Sequence, residues 1–373
     1  MKRIGFSSIH ADANVCCTGY EVLPVRTGYD NMIPYRVGSL FATMAKQDGV
    51  VTSITPIEMV VTYKDKSRVA IPLGRQYGSD GGLTVPHLLV TDLKVGSHFK
   101  KGEALSYNTG YFTKDPLNPK ALTMKIGTLA TVAILENNYT LEDGSAITAN
   151  FAKKLEMYQT KIRVIRVKFD QSIHNLVKPN QEVSSDDPLC IIEDSVTSQS
   201  SLFDKSSIEL LRQLSAKAPK AKKNGRIEKI EAYYNGDIKD MSPSLQEIVK
   251  YTDRMMRETS KIKGGKGYIG RVYGNYLVEG NRIEENELVL KIYLTGKESS
   301  GVGDKLVFAN QLKSTIGTVY DTPPMTEDNQ EIDAVFGARS INARIVNSPY
   351  ILGTTATLLD EIGKQAYSLY FDK

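Results

Sequence analysis

The chain has 373 residues, of which 41% are hydrophobic and 24% charged, with 29 Gly, 14 Pro and no Trp. That balance excludes collagen-like, mucin-like and wholly disordered classes, and at roughly 100–200 residues per domain it suits two or three globular domains. With 47 Lys and Arg against 43 Asp and Glu, the net charge of +4 says little about partners until its placement is known.

No apolar run nears the ~18 residues needed to cross a bilayer, so no transmembrane helix and no membrane partner is expected. The opening MKRIGFSSIHADANVCC lacks the continuous apolar core of a signal peptide, which argues against secretion. Cys16, Cys17 and Cys190 form neither a disulfide framework nor a CxxC knuckle, and His10, His87, His98 and His174 show no zinc spacing. The expected location is therefore intracellular and reducing.

In chain order, residues 1–40 read as an irregular, turn-rich lead-in. Short β-rich runs at 57–63 and 68–72 follow, punctuated by Gly, Asp and Ser. Longer strands are predicted at 128–135 and 160–169. From 171 the character changes: a polar loop, a short helix at 206–215, then seven Lys or Arg against two Glu between Arg212 and Glu231. The clearest helix starts with Ser242 as N-cap and Pro243 at its first position, with Leu245, Ile248, Val249, Met255 and Met256 at helical spacing. A second basic run, Arg254 to Arg271, leads back to β structure at 287–293. The end, 349–370, reads as an amphipathic helix carrying Ile351, Leu358, Leu359, Ile362 and Tyr367.

No P-loop, no GxSxG elbow and no Cys/His pair is present, which removes the common stand-alone hydrolase and dehydrogenase chemistries. The informative stretch is 303–317, GDKLVFANQLKSTIG, with Lys305 and Lys313 eight residues apart. They cannot share a helix face, but they could converge from the two ends of a loop onto one polyanion. The bland alternative is a pair of solvated lysines.

This stretch resembles the GDK-to-lysine motif of the β subunit (the second-largest subunit) of multisubunit DNA-directed RNA polymerases. Residues 137–148, NNYTLEDGSAIT, resemble the family's aromatic-x-x-Glu-Asp-x-x-Ile block, and 331–344, EIDAVFGARSINAR, resemble its block ending in Ser-Arg. Residues 1–21 resemble its Met-x-Arg…Ala-Asp…Thr-Gly-x-Glu stretch, and 224–240, NGRIEKIEAYYNGDIKD, a strand pair of its flap or wall domain. The five blocks stand in the family's order. The chain departs from the pattern at Val307-Phe308-Ala309-Asn310-Gln311-Leu312, where the family carries basic and His-Gly residues, and at Ser314, where it carries Gly. Coverage of the family's latter part alone suggests the C-terminal part of a split β subunit, most like those of large (jumbo) bacteriophages. An archaeal-type split fits less well, because no zinc-binding cysteines stand near the end.

The resemblance implies a mostly β chain with some α. Residues 1–89 would be a lead-in and hybrid-binding-like β region, and 90–170 with 286–345 a double-psi β-barrel catalytic core. A flap-like insertion would occupy 171–285, and a C-terminal helix at 346–373 would contact a β′-type subunit. It implies a nucleotidyltransferase active only in a complex. Lys305 and Lys313 would hold the RNA 3′ end and the nucleotide phosphates, and Arg3 and Arg344 the triphosphate. Glu142 and Asp143 would lie near a nucleotide-bound metal through water. Lys220, Lys222, Lys223, Lys263, Lys266 and Arg271 would touch RNA or DNA phosphates. No DxDxD is present, so Mg²⁺ would be held mainly by an Asp-rich loop of the β′-type subunit. The other partners would be an N-terminal β fragment, template DNA, nascent RNA and NTPs, in the host cytoplasm, a phage-derived compartment or the virion. Two rivals are a non-catalytic scaffold of such an assembly, favoured by the altered residues between the lysines, and a free nucleic-acid-binding β protein.

Overall fold

The computed structural model describes residues 2–371 apart from 11–12, 15–16, 26–27, 81–82, 117, 126, 195–216, 263–269, 310–311 and 328. The helix expected at 206–215 lies outside the described residues. Strands take up 42% of the chain, about twice the ordinary globular share, so the protein is mostly β with few helices. Contacts divide it into two compact units, Met1–Tyr158 with Glu298–Lys373, and Gln159–Lys297.

The first unit is organised by a sheet that curls back on itself. The Lys2–His10 strand pairs antiparallel with two partners, Thr128–Ile134 on one side and Lys305–Phe308 on the other. Lys305–Phe308 pairs antiparallel with Leu312–Tyr320, which runs parallel to Gly144–Thr148. Ala334–Phe336 joins Gly144–Thr148 antiparallel and Thr128–Ile134 parallel, so that six strands pair in a ring. The register of the ring is strongly staggered. Followed through Thr315 and Lys305, the level of Gly144 meets the first strand one residue past Ser8. Followed through Phe336 and Ile134, it meets the same strand before Lys2, about ten residues earlier. Strands so staggered must tilt steeply to the ring's axis.

Alternation along the strands fills the ring. Leu306, Phe308, Leu312 and Ile316 are buried with Val132, Ile147 and Phe336, and the Phe308 and Phe336 rings stack with centroids 4.5 Å apart. Lys305, Lys313 and Thr315 alternate with them and are exposed. The sequence reads 1–40 as irregular, whereas Lys2–His10 is a nine-residue strand. KRIGFSSIH has no sustained period of two, and residues 2–8 are held by partners more than a hundred residues away, only Ile9 and His10 pairing locally with Ala13–Asn14.

Elsewhere in this unit, Arg68–Pro72, Glu58–Tyr63, Gly49–Ile54 and His98–Phe99 make a four-stranded sheet over Val51, Met59, Val61 and Ile71. The C-terminal helix, Ser348–Phe371, lies along the Lys2–His10 strand. It buries Pro349, Gly353 and Ala356 and leaves Ile351, Leu358, Ile362 and Leu369 exposed. Among the described residues no helix is long and apolar enough to cross a membrane.

The second unit is a sheet in the order Glu182–Val183, Gly225–Asn235, Glu287–Glu298, Met157–Lys168. Helix Pro243–Ile262 starts at the proline, as its position predicts, and packs Leu245 and Val249 against Ala232, Tyr234, Leu290 and Ile292. The Ser242 hydroxyl donates to the Gln171 carbonyl (2.7 Å), tying the start of the helix to the turn before it.

Two substitutions inside the ring should act in opposite directions. Phe336→Ala removes half of the aromatic stack and should cost about 3–5 kcal/mol. Ser314 is 1% exposed and its hydroxyl has no hydrogen-bond partner, so Ser314→Ala should be neutral or stabilising by up to ~1 kcal/mol. Urea midpoints of the two variants against the parent check both signs.

Candidate functional site

Lys305 opens its strand opposite Thr315, and Lys313 stands opposite Val307 on the neighbouring strand. The two lysines are therefore diagonal neighbours on the outer face of the ring, with Cβ atoms roughly 7–8 Å apart. At that separation in water-like surroundings two ammonium charges repel by about 0.5 kcal/mol, a small cost that one shared phosphate would turn into attraction. Their separation in sequence gives way to proximity because the two strands pair antiparallel, and Ala309, at the end of the first, adopts a left-handed φ of 51°.

Thr315 continues the row. Its N–H donates to the Asp143 carbonyl (2.8 Å), and its strand neighbour across the parallel pair is Gly144. Asp143 is thus two strand spacings from Lys305, about 10 Å. The turn that carries Asp143 is closely built. Glu142 takes a left-handed φ of 50°, and a Cβ on Gly144 would stand 2.5 Å from the Tyr139 carbonyl. The Thr140 hydroxyl accepts from the Asn137 N–H (2.8 Å), and the Asn137 amide donates to the Tyr320 hydroxyl (3.3 Å).

Helix Ala338–Ala343 is fastened to this turn at both ends. At its start the Arg339 N–H donates to the Glu136 carboxylate (2.6 Å), and the Ser340 hydroxyl donates to the Glu142 carbonyl. At its C-cap, Arg344 gives one guanidinium N–H to Asp143 Oδ1 at 2.7 Å. Arg344 and Asp143 are singled out separately in the sequence, 201 residues apart, and the fold joins them as an ion pair.

Arg3 is not drawn into this group. It stands opposite Thr131, six residues before the level of Lys305 and so about 20 Å away along its strand. In the second unit Lys220 pairs with Asp186 (3.0 Å), Lys223 donates to Gln159 (2.9 Å), and Lys222 is exposed. Arg271 lies 5.9 Å from the Tyr273 ring. Its segment is anchored by Asp253, which accepts from the Gly270 N–H (2.7 Å) and the Tyr234 hydroxyl (3.1 Å). Burial, then the Asp253 charge and hydrogen bond, push that hydroxyl far above the ordinary tyrosine range, against a smaller pull from Arg271 and Arg257. Lys263 and Lys266 lie outside the described residues. Cys17 and Cys190 are buried, and burial raises both thiols, Cys190 to about 11, so neither offers a thiolate near neutrality.

Among the described residues no three His, Cys, Asp or Glu side chains gather where a cation could be held. Asp143 already serves Arg344, so Glu142 and Asp143 do not by themselves fit a Mg²⁺ ion. The chemistry this face offers is that of fixed cations. Thr315, Glu136 and Ser340, which bind the site together, carried no sequence signal beyond lying in or beside the blocks that hold the charged residues. No protein-family model matches the chain, and no curated protein matches it significantly in sequence.

The construction of the turn makes a local prediction. Gly144→Ala should cost about 1–3 kcal/mol through the clash with the Tyr139 carbonyl. Glu142→Gly should be tolerated or stabilise slightly, since it relieves a left-handed non-glycine. Thermal midpoints of the two variants, ranked in that order, check the geometry.

Proposed function

We propose that this chain is a catalytic-core subunit of a multisubunit DNA-dependent RNA polymerase, the C-terminal part of a split β subunit. It would supply the cations that hold the RNA 3′ end and the incoming nucleotide's phosphates. The observation that carries the proposal is convergence. Asp143, Lys305, Lys313 and Arg344 come from three separate blocks of resemblance, and they are linked within a few strand spacings through the backbone of Thr315 and the Arg344–Asp143 ion pair. A curled sheet of six strands, two of its pairs parallel, supports the finer reading as a double-psi β-barrel. The support does not extend to Arg3.

Nucleotidyl transfer is an in-line displacement at phosphorus, and it calls for positioning and charge neutralisation rather than a covalent enzyme intermediate. Lys305 and Lys313 are point charges on a rigid strand pair, suited to non-bridging oxygens on either side of the reacting phosphate. Arg344 presents a planar fork, which suits the paired oxygens of a triphosphate. Divalent ions bound chiefly by the partner's Asp-rich loop would neutralise the remaining charge. The apolar stripe Ile351, Leu358, Ile362 and Leu369, exposed on the C-terminal helix, also supports a subunit over a free monomer, since a β′-type partner would cover it. In the second unit Lys220, Lys222, Lys223 and Arg271 would meet RNA or DNA phosphates without reading sequence.

The test is extension of a primed RNA–DNA scaffold by the co-purified complex. Lys305→Ala and Lys313→Ala should assemble normally and lose about 10²–10³ in rate, by analogy with removal of a preorganised oxyanion donor. Assembled variants that extend at the parental rate would overturn the assignment of the two lysines and leave the chain a scaffold. Purification as a lone, soluble monomer with no extension activity would favour the free nucleic-acid-binding protein.

A further inference from the structure

We infer that Asp143 is a positioning residue that acts through Arg344, orienting the guanidinium toward the phosphates held by Lys305 and Lys313, and is not a holder of the metal. The inference rests on the proposed role of Arg344 as the triphosphate contact.

Arg344 sits at the end of a six-residue helix with its side chain 37% exposed, so alone it would sample many rotamers. Ordering so long a side chain upon binding is a direct loss of affinity. Asp143 prevents this from a fixed base. Its own carbonyl is held by Thr315 in the ring, and the residue before it is held by Ser340 of the Arg344 helix. The contact runs from Arg344 Nη2–H to Asp143 Oδ1 at 2.7 Å. A guanidinium has five N–H donors, and this contact engages one of them while fixing the direction of the group. A carboxylate committed to this arginine is also badly placed to take a cation, because the guanidinium competes for the same lone pairs.

The ion pair is more than a third exposed on both sides, and exposed pairs couple weakly. Loss of Asp143 should therefore be modest and should fall on nucleotide affinity. In the assembled complex, Asp143→Asn should raise KM for the incoming NTP about two- to fivefold, with kcat and the Mg²⁺ dependence nearly unchanged. Arg344→Ala should raise KM more, and adding Asp143→Asn to it should do nothing further. Asp143→Glu should restore part of the loss. Equilibrium binding of a non-hydrolysable NTP by the same complexes should show the same order without any turnover.

The alternatives separate cleanly. A drop in kcat by orders of magnitude with a shifted Mg²⁺ requirement would make Asp143 a metal residue and overturn the inference. A lower melting midpoint with unchanged KM would make the pair a structural fastening only, and would overturn it equally. If Arg344→Ala itself leaves KM and analogue binding unchanged, the triphosphate role of Arg344 has failed, which is a different result from Asp143→Asn being silent while Arg344→Ala is not.

Discussion

Closure of the ring by the Lys2–His10 strand is the constraint on which the first unit depends. Without it, Thr128–Ile134 and Lys305–Phe308 would each present a bare edge, and the side chains between them would lie open on one side. With it, Leu306, Phe308, Leu312, Ile316, Val132, Ile147 and Phe336 enclose one another. The steep stagger follows from the same pairing. A ring of six strands is narrow, and tilt lets large residues such as Phe308 and Phe336 fit inside it in a stack.

The outer face inherits its precision from that interior. Because side chains alternate, burying Leu306, Leu312, Ser314 and Ile316 forces Lys305, Lys313 and Thr315 outward together. Register, and not side-chain preference, then decides which of them are neighbours. The helix Ala338–Ala343 adds an arginine that the sheet could not supply from its own strands. Its attachment to Glu136, Glu142 and Asp143 makes the addition rigid at both ends. Charged groups on strands and a fastened helix lose less entropy on meeting a phosphate than the same groups on a free loop would.

What the sequence disclosed followed the range of the forces involved. The strand Thr128–Ile134, the hairpin strand Arg68–Pro72 and the helix Pro243–Ile262 are local patterns, and each was legible as such. The Lys2–His10 strand was not, since most of its pairing is with distant strands. The polar stretch at 171 marks a change of character, whereas the contacts divide the chain at 158 and 159. The apolar run in Glu287–Glu298, buried at nearly every position, marks a strand covered on both sides but says nothing about which sheet it joins. In the C-terminal helix the apolar positions were legible and their environment was not. Pro349 and the small residues Gly353 and Ala356 go inward, and Ile351, Leu358 and Ile362 are left outside. The site followed the same rule: its charged residues could be named one at a time, but the pairing of Asp143 with Arg344 could not be read from either.

The residues between the lysines bear on what the face can bind. Val307, Phe308 and Leu312 depart most from the polymerase pattern, and that departure is the motive for a purely scaffolding role. Phe308 and Leu312 are fully buried within the ring and Val307 is 8% exposed. Ser314, the other departure, also points inward. Phe308, Leu312 and Ser314 thus fill the interior, with the Ser314 hydroxyl left unpartnered, whereas Val307 alternates with Leu306 and Phe308 and stands opposite Lys313 on the outer side. Lys305, Lys313 and Thr315 are exposed on that outer side, with Val307 standing among them. Where the stretch departs from the resemblance at Phe308, Leu312 and Ser314, the departure therefore bears on the packing of the core and not on which charges stand on the outer face.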